Sequence, residues 1–279
     1  MHVATDSDYD QRFSGIARLY GTDAAARLRS AHVAIVGVGG VGSWSVEALA
    51  RSGIGALTLI DLDEVCVSNV NRQLPALTSE VGKPKVHVLR ERILGINPEC
   101  RVTVIEEFFT PKNAAELLVT PYSAVLDAID DASNKALLLA ESWRRNIPTV
   151  TVGAAGGRRD PTSIRIADLA FTTHDRLLVR IRKILRTDYK FPDDPKIPFG
   201  IPCVFSIEQP VFPQSDGTVC ASRGDSGELR MNCNSGYGSA THLTGGFGFA
   251  AAAEVIRMIC ASTSESTLNK SSAASAPST

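Results

Sequence analysis

His32-Val33-Ala34-Ile35-Val36-Gly37-Val38-Gly39-Gly40-Val41-Gly42-Ser43-Trp44-Ser45 is the stretch that decides how this chain is read. The apolar run from Val33 to Val36 reads as a buried strand. Gly37, Gly39, Gly40 and Gly42 make a turn, and the apolar period from Val41 to Leu49 opens a helix. Such a turn cradles a phosphate, because glycine lets the backbone approach a ligand closely and the free N–H groups of a helix start favour an anion. Asp61 ends the next apolar run, Ala56 to Ile60, where a carboxylate accepts hydrogen bonds from ribose hydroxyls. A nucleotide is therefore expected. Gly37, Gly39 and Gly42 also fit the dinucleotide fingerprint, so an NAD-dependent redox enzyme stands as a rival at this point.

Outward from this stretch, strand and helix signals alternate. They run through Leu57 to Ile60, Val81 to Leu94, Val102 to Ile105, Ala114 to Leu118, Ala124 to Leu126, Lys135 to Arg145 and Thr149 to Val152. That rhythm predicts an α/β, Rossmann-like fold, a mostly parallel sheet with helices on both faces and ligands at the carboxyl ends of its strands. Residues 9 to 30 read as a helical lead-in. Past Gly153 the alternation from Ser163 to Ala167 and a strand from Cys203 to Ile207 suggest an antiparallel extension in the C-terminal half. Residues 175 to 187 form an amphipathic pattern with a basic side. The last helix, from about Thr241 to Ile259, is Gly/Ala-rich, and Glu254 and Arg257 interrupt it short of the roughly 20 apolar residues of a membrane span, so a packing helix is expected. Ser262 to Thr279 has the composition of a disordered tail.

Composition narrows the function. The formal net charge is -1, so no global field draws the chain to nucleic acid or membrane, and any RNA contact must be local. The six cysteines show no Cys-x-x-Cys pair, which argues against structural zinc and a disulfide framework. Asp6, Asp8 and Asp10 stand where a signal peptide would be basic, and a reducing cytoplasm is expected.

Polar residues then gather at one edge of the expected sheet. Asp63 follows Asp61, and Ser68-Asn69-Val70-Asn71-Arg72-Gln73 lies in the loop after the second strand. Lys85 opens the next helix, and Asp127-Ala128-Ile129-Asp130-Asp131 ends the fourth strand. Arginine and lysine there can grip a triphosphate, and a carboxylate can hold magnesium through oxygen ligands. Taken alone, Asp130 reads equally well as a helix cap ahead of Ala132.

As a set, these motifs resemble the adenylation domain of the ubiquitin-activating-enzyme superfamily, which includes the molybdopterin and thiamine adenylyltransferases. The likeness covers about residues 12 to 153. It implies a carboxylate activated as an acyl-adenylate with loss of pyrophosphate. Gly37, Gly39, Gly40, Gly42, Asp61, Asp63, Ser68, Asn69, Asn71, Arg72, Gln73, Lys85, Asp130 and Asp131 would then bind ATP. Arg72 and Lys85 would brace the phosphates as catalytic residues, with Asp130 on Mg²⁺. Within that superfamily, Arg12-Phe-Ser-Gly-Ile-Ala-Arg18-Leu-Tyr-Gly21, Gly153-Ala-Ala-Gly-Gly157, Phe212-Pro-Gln-Ser-Asp-Gly-Thr-Val-Cys220 and Met231-Asn-Cys233 are similar to the tRNA threonylcarbamoyladenosine dehydratases.

The closer likeness implies ATP-dependent cyclisation of a modified tRNA adenosine, and residues 1–260 as one adenylation domain. Its nucleotide-binding half would be 30–153, its RNA-side half 154–260, and 261–279 a tail. It also implies a homodimer in which an N-terminal arginine, Arg12 or Arg18, reaches the partner's ATP. An RNA substrate makes Arg158, Arg159, Arg176, Arg180, Arg182, Lys183 and Arg186 the expected phosphate contacts. Cys233 is the candidate acyl-accepting thiol, although a substrate that supplies its own nucleophile makes it dispensable. The alternative is an adenylyltransferase for a ubiquitin-like sulfur-carrier protein, whose usual paired zinc cysteines are missing. Neither DNA nor membrane is expected as a partner. A sulfur-transfer (desulfurase) accessory protein and a bound monovalent cation stay open.

Overall fold

A computed structural model of the chain describes residues 8–214, 216–220 and 237–261. The lead-in is two helices, α1 (Asp8–Tyr20) and α2 (Thr22–Ser30), because Gly21 takes a φ of 90° between them. Strand β1 (His32–Val36) enters the glycine turn, α3 (Gly42–Arg51) leaves it, and β2 (Ala56–Ile60) lies parallel to β1 with Ile60 opposite Val36. Then follow α4 (Lys85–Ile96), β3 (Arg101–Ile105), α5 (Ala114–Leu117), β4 (Ala124–Asp127), α6 (Ala132–Arg144) and β5 (Thr149–Val152). Helix α4 starts four residues later than the apolar period suggests, because Pro84 holds an extended backbone immediately before it.

The C-terminal half adds β6 (Ile164–Asp168), α7 (Arg176–Tyr189) and β7 (Pro202–Ser206), then a small hairpin of β8 (Phe212–Pro213) and β9 (Val219–Cys220), and last α8 (Thr241–Ala261). The sheet order is β3-β2-β1-β4-β5-β7-β6, parallel except for β6, which pairs antiparallel with β7 at the edge. Chain order reverses between β1 and β4, and such a switch point opens a crevice at the strands' carboxyl ends.

The central strands β2, β4 and β5 are buried along their whole length because both faces are covered, whereas the edge strands β3 and β6 are partly exposed. Val33 and Ile35 pack with α3, α4 and α8, while Ala34 and Val36 face the opposite layer with Val125 and Leu138. A third cluster joins α6 to α7 through Leu139, Leu178, Ile181 and Leu185. Helix α8 is long and apolar enough to cross a membrane, yet most of it is buried inside the fold, as expected of a packing helix. Its glycines allow it to lie on α3: a Cβ at Gly248 would stand 2.6 Å from Val41 O, and Ser45 Oγ donates to Gly248 O at 3.0 Å.

One polar clamp joins α3 to α4. Glu47 accepts from Arg92 Nε at 2.6 Å and from Arg51 Nε at 2.7 Å. Burial pushes the Glu47 carboxyl up, but the bonds from Arg92 and Arg51 outweigh it and hold the folded value below the ordinary one of 4.5. The unfolded chain then binds the proton more readily. The clamp stabilises the fold at neutral pH and fades as the pH falls through the folded value. Glu47→Gln is expected to lower the urea-unfolding free energy at pH 7 by about 1 kcal/mol, the arginines being open to water. In acid the gap between variant and parent should close.

Candidate functional site

The glycine turn is shaped by contacts that no side chain could share. Gly37 sits at φ 85°, and a Cβ on it would stand 2.8 Å from Ala128 O. A Cβ on Gly42 would fall 1.9 Å from Gly37 O. The turn is thus pressed against the end of β4, which brings the Asp127–Asp130 segment beside the start of α3. That helix has no side-chain cap, which leaves its positive end for an anion.

Asp61 ties the turn to β2. Its carboxylate accepts from Val38 N at 2.7 Å and from Asp63 N at 2.9 Å. Burial pushes the Asp61 carboxyl up from the usual carboxylate range, against the pull of those N–H groups and of the Lys85 charge. Lys85 is buried at the start of α4, with Nζ 2.7 Å from Asp63 Oδ2 and its own N–H bonded to Asp63 O at 3.0 Å. An ammonium has three donors, so Lys85 keeps hydrogen-bonding capacity for a phosphate.

Arg72 and Gln73 close the other side of the turn. Cβ positions built on Gly40 and Gly39 lie 3.8 Å from Arg72 Cγ and from Gln73 Nε2. The backbone there is held by Trp44 Nε1 and Thr244 Oγ1, which donate to Arg72 O at 3.1 and 3.0 Å, and by Thr241 Oγ1 on Asn71 O. Arg72 Nη1 donates to Ser68 O and Asn71 Oδ1, which leaves the rest of its fork for a ligand. Gln73 Oε1 is buried without a partner among the described residues. The glycine turn, Asp61, Lys85, Arg72 and the end of β4 therefore meet at the switch-point crevice.

Three expected contacts are engaged elsewhere. Asn69 is buried and caps its own 3-10 turn, accepting from Cys66 N at 3.1 Å. Asp131 is the N-cap of α6, accepting from Asn134 N at 2.8 Å and Ser133 N at 3.1 Å. The cap thus falls on Asp131, and Asp130 stays exposed. Arg12 is held by Asp8 and by Ile96 O, whereas Arg18 is exposed with no side-chain bond among the described residues.

The basic set divides as well. Arg158 is buried and donates to Ala154 O, His174 O and Glu208 O, so it brackets β5, α7 and β7 from inside and is not a surface contact. Arg182 bonds Thr172 Oγ1 and Arg186 bonds Pro192 O, both half-buried. Arg159, Arg176, Arg180 and Lys183 remain exposed. Helix α7 begins at the crevice, since its N-cap Asp175 accepts from Ala154 N at 2.8 Å just past β5.

Asp127 is legible in the sequence as the end of the fourth strand, but its partner is not. Lys135 and Asp127 form a fully buried pair at 2.9 Å. Lys135 also donates to Ile129 O at 3.1 Å, Thr151 Oγ1 donates to Asp127 Oδ2 at 2.6 Å, and Ile129 N donates to Asp127 Oδ1. Burial pushes Asp127 up while Lys135 pulls it down. The pair pins the peptide just before Asp130. Among the cysteines, burial pushes Cys100 up to about 11 and Cys203 higher still, so both are inert thiols. Cys233 lies outside the described residues.

The ThiF family profile matches residues 13–278. The chain belongs to the ThiF family. Among ThiF proteins it is 50% identical over 262 residues to the tRNA threonylcarbamoyladenosine dehydratase of Escherichia coli K12, covering 94% of this chain and 98% of that one. The structure of the E. coli dehydratase in complex with ATP superposes with a TM-score of 0.83 at 44% identity, covering 94% of this chain and 99% of the other. The likeness to the molybdopterin-synthase adenylyltransferase of Salmonella typhimurium is 35% over 140 residues, and it covers only 50% of this chain and 55% of that protein. The likeness to that adenylyltransferase thus stops at half of the chain, while the likeness to the dehydratase covers nearly all of it.

Proposed function

We propose that this ThiF protein is an ATP-dependent tRNA threonylcarbamoyladenosine dehydratase of the cytoplasm, with residues 1–260 as one adenylation domain. The observation that carries this is the convergence of Lys85, Arg72 and the end of β4 on the glycine turn, in a chain alike to the dehydratases over nearly its full length. A redox enzyme would leave Lys85 and Arg72 without a task.

The substrate carboxylate attacks the α-phosphorus of ATP. A bond forms between its oxygen and that phosphorus as the α–β bridge breaks and pyrophosphate leaves. The carbamoyl group of the same substituent then attacks the activated carbonyl, expels AMP and gives up a proton, so that a ring closes with net loss of water. Lys85 and Arg72 stabilise the charge that develops on the phosphates, and Asp61 holds the ribose. Magnesium fits the residues present, since the exposed Asp130 would supply one carboxylate beside the ATP phosphates, the usual mode for this ion. When bound, it supplies further neutralisation of the leaving pyrophosphate.

The test is release of AMP and pyrophosphate on addition of threonylcarbamoyl-modified tRNA. Release stimulated instead by a ubiquitin-like carrier protein would establish the sulfur-carrier alternative. The nucleophile belongs to the substrate, so no step needs Cys233.

Arg159, Arg176, Arg180 and Lys183 make the RNA-facing surface. Changing Arg180 and Lys183 to Ala is expected to weaken tRNA binding and to lower the slope of log affinity against log salt by about 1 for each charge removed. The KM for ATP should not move. An unchanged slope places the RNA elsewhere.

The homodimer gives Arg18 its role. It stands free beside exposed Leu19 and Tyr20, an apolar spot suited to a partner. Arg18→Ala and Asp130→Ala proteins, each inactive, should on mixing recover up to about a quarter of parental activity, because half the dimers are mixed and each carries one intact composite site. No recovery after subunit exchange would exclude action in trans.

A further inference from the structure

The acceptor side of the crevice carries an aromatic ring that the nucleotide chemistry does not use. Tyr237 is 40% exposed, although its ring lies against that of buried Phe212, with centroids 5.2 Å apart and planes inclined by 50°. The guanidinium of Arg176 stands 5.1 Å from the same Phe212 centroid. Gly156 and Gly157 make room for this stack. A Cβ on Gly157 would stand 2.8 Å from Tyr237 Cδ1, and one on Gly156 would stand 3.0 Å from Tyr237 Cβ.

The ring is placed between the two working regions. Gly157 N donates to Gly238 O at 2.7 Å, which ties the residue after Tyr237 to the loop past β5. Ser239 O accepts from Asn71 Nδ2 at 2.7 Å, which ties the next turn of chain to the ATP-binding loop. Among the described residues, the nearby carboxylates Asp175, Glu208 and Asp160 are all engaged. Asp175 accepts from Ala154 N and Leu178 N and pairs with Arg158; Glu208 accepts from the N–H groups of Arg159 and Asp160; Asp160 accepts from Thr162 and Ser163. Of these only Asp175 is paired with a cation, so the other carboxylates keep their charge, and the guanidinium placed at the stack is that of Arg176 on the Phe212 ring.

We propose that Tyr237, seated on Phe212 whose ring also carries the Arg176 guanidinium, is a stacking platform for one unpaired base of the RNA loop, and that it delivers the neighbouring modified nucleoside to the crevice. This rests on the tRNA reading above. A half-exposed aromatic face is the kind of surface on which unstacked bases of single-stranded RNA are held. Ring stacking tolerates Phe but not Ala, and its loss weakens binding by roughly 5- to 150-fold.

The experiment is fluorescence-anisotropy titration of a labelled anticodon stem-loop onto the full chain and its Tyr237→Phe and Tyr237→Ala variants, with the KM for ATP and the melting temperature measured in parallel. Tyr237→Phe should bind within about twofold of the parent, and Tyr237→Ala within the weakened range above, both with unchanged KM and melting temperature. Abasic nucleotides in the RNA loop should abolish the difference between parent and Ala variant. Equal affinity of parent and Ala variant, or a difference that survives the abasic loop, overturns the platform and leaves the tRNA reading standing. A joint loss of ATP affinity and stability would make the ring a packing residue and overturn it as well. A parent protein that binds no stem-loop overturns both.

Discussion

Asp130→Ala is expected to abolish release of AMP and pyrophosphate in the presence of modified tRNA, a fall of about a thousandfold or more, while the protein melts as the parent does. The magnitude is that of removing a preorganised charge partner from a phosphoryl-transfer site. The unchanged stability follows from the exposed position of Asp130, which makes no side-chain bond among the described residues. Asp131→Ala is expected to do the reverse. It removes the α6 cap to Asn134 N and Ser133 N, which costs about 1 kcal/mol of stability, and leaves turnover within a few-fold of the parent. Adjacent carboxylates thus give opposite outcomes. A single-turnover assay with labelled ATP beside a thermal melt separates them, and an active Asp130→Ala protein would remove the magnesium role.

The contrast between these two carboxylates marks how far the sequence carries the argument. The periods of the apolar runs locate the strands, and the spacing of glycines, Asp61 and Lys85 locates the nucleotide edge, because both depend on local backbone geometry. Helix ends depend on one side chain finding two N–H groups, and the sequence offers Asp130 as the cap, whereas Asp131 accepts them. Arg158 shows a different limit. Its neighbours in sequence are glycine and arginine, and nothing local distinguishes it from Arg159, yet it is buried because β5, α7 and β7 present carbonyls to it from 4 to 50 residues away. Lys135 likewise opens an apolar helical run in sequence, where a charge reads as solvated. Only the pairing of β4 with β5, which sets Asp127 and Thr151 together, makes its interior position tolerable.

That interior pair carries the second large effect. Lys135→Met leaves the Asp127 carboxylate buried with its cation gone, and Asp127→Ala leaves a buried ammonium, so each is expected to destabilise the fold by about 3–5 kcal/mol. For a chain of this size the melting temperature should fall by roughly 10 °C. The joint variant, Asp127→Leu with Lys135→Met, should recover much of that loss, because no lone charge remains and the cost is confined to neutral groups, Thr151 Oγ1 and Ile129 N losing an acceptor and the Asp127 and Ile129 carbonyls a donor. Recovery of stability should not bring recovery of catalysis. The pair holds Ile129 from both sides, through its N–H on Asp127 and its carbonyl on Lys135, and Asp130 is the next residue. With that peptide released, kcat should stay depressed at unchanged KM for tRNA. A joint variant as stable and as active as the parent would show that Asp130 is placed by the glycine turn alone.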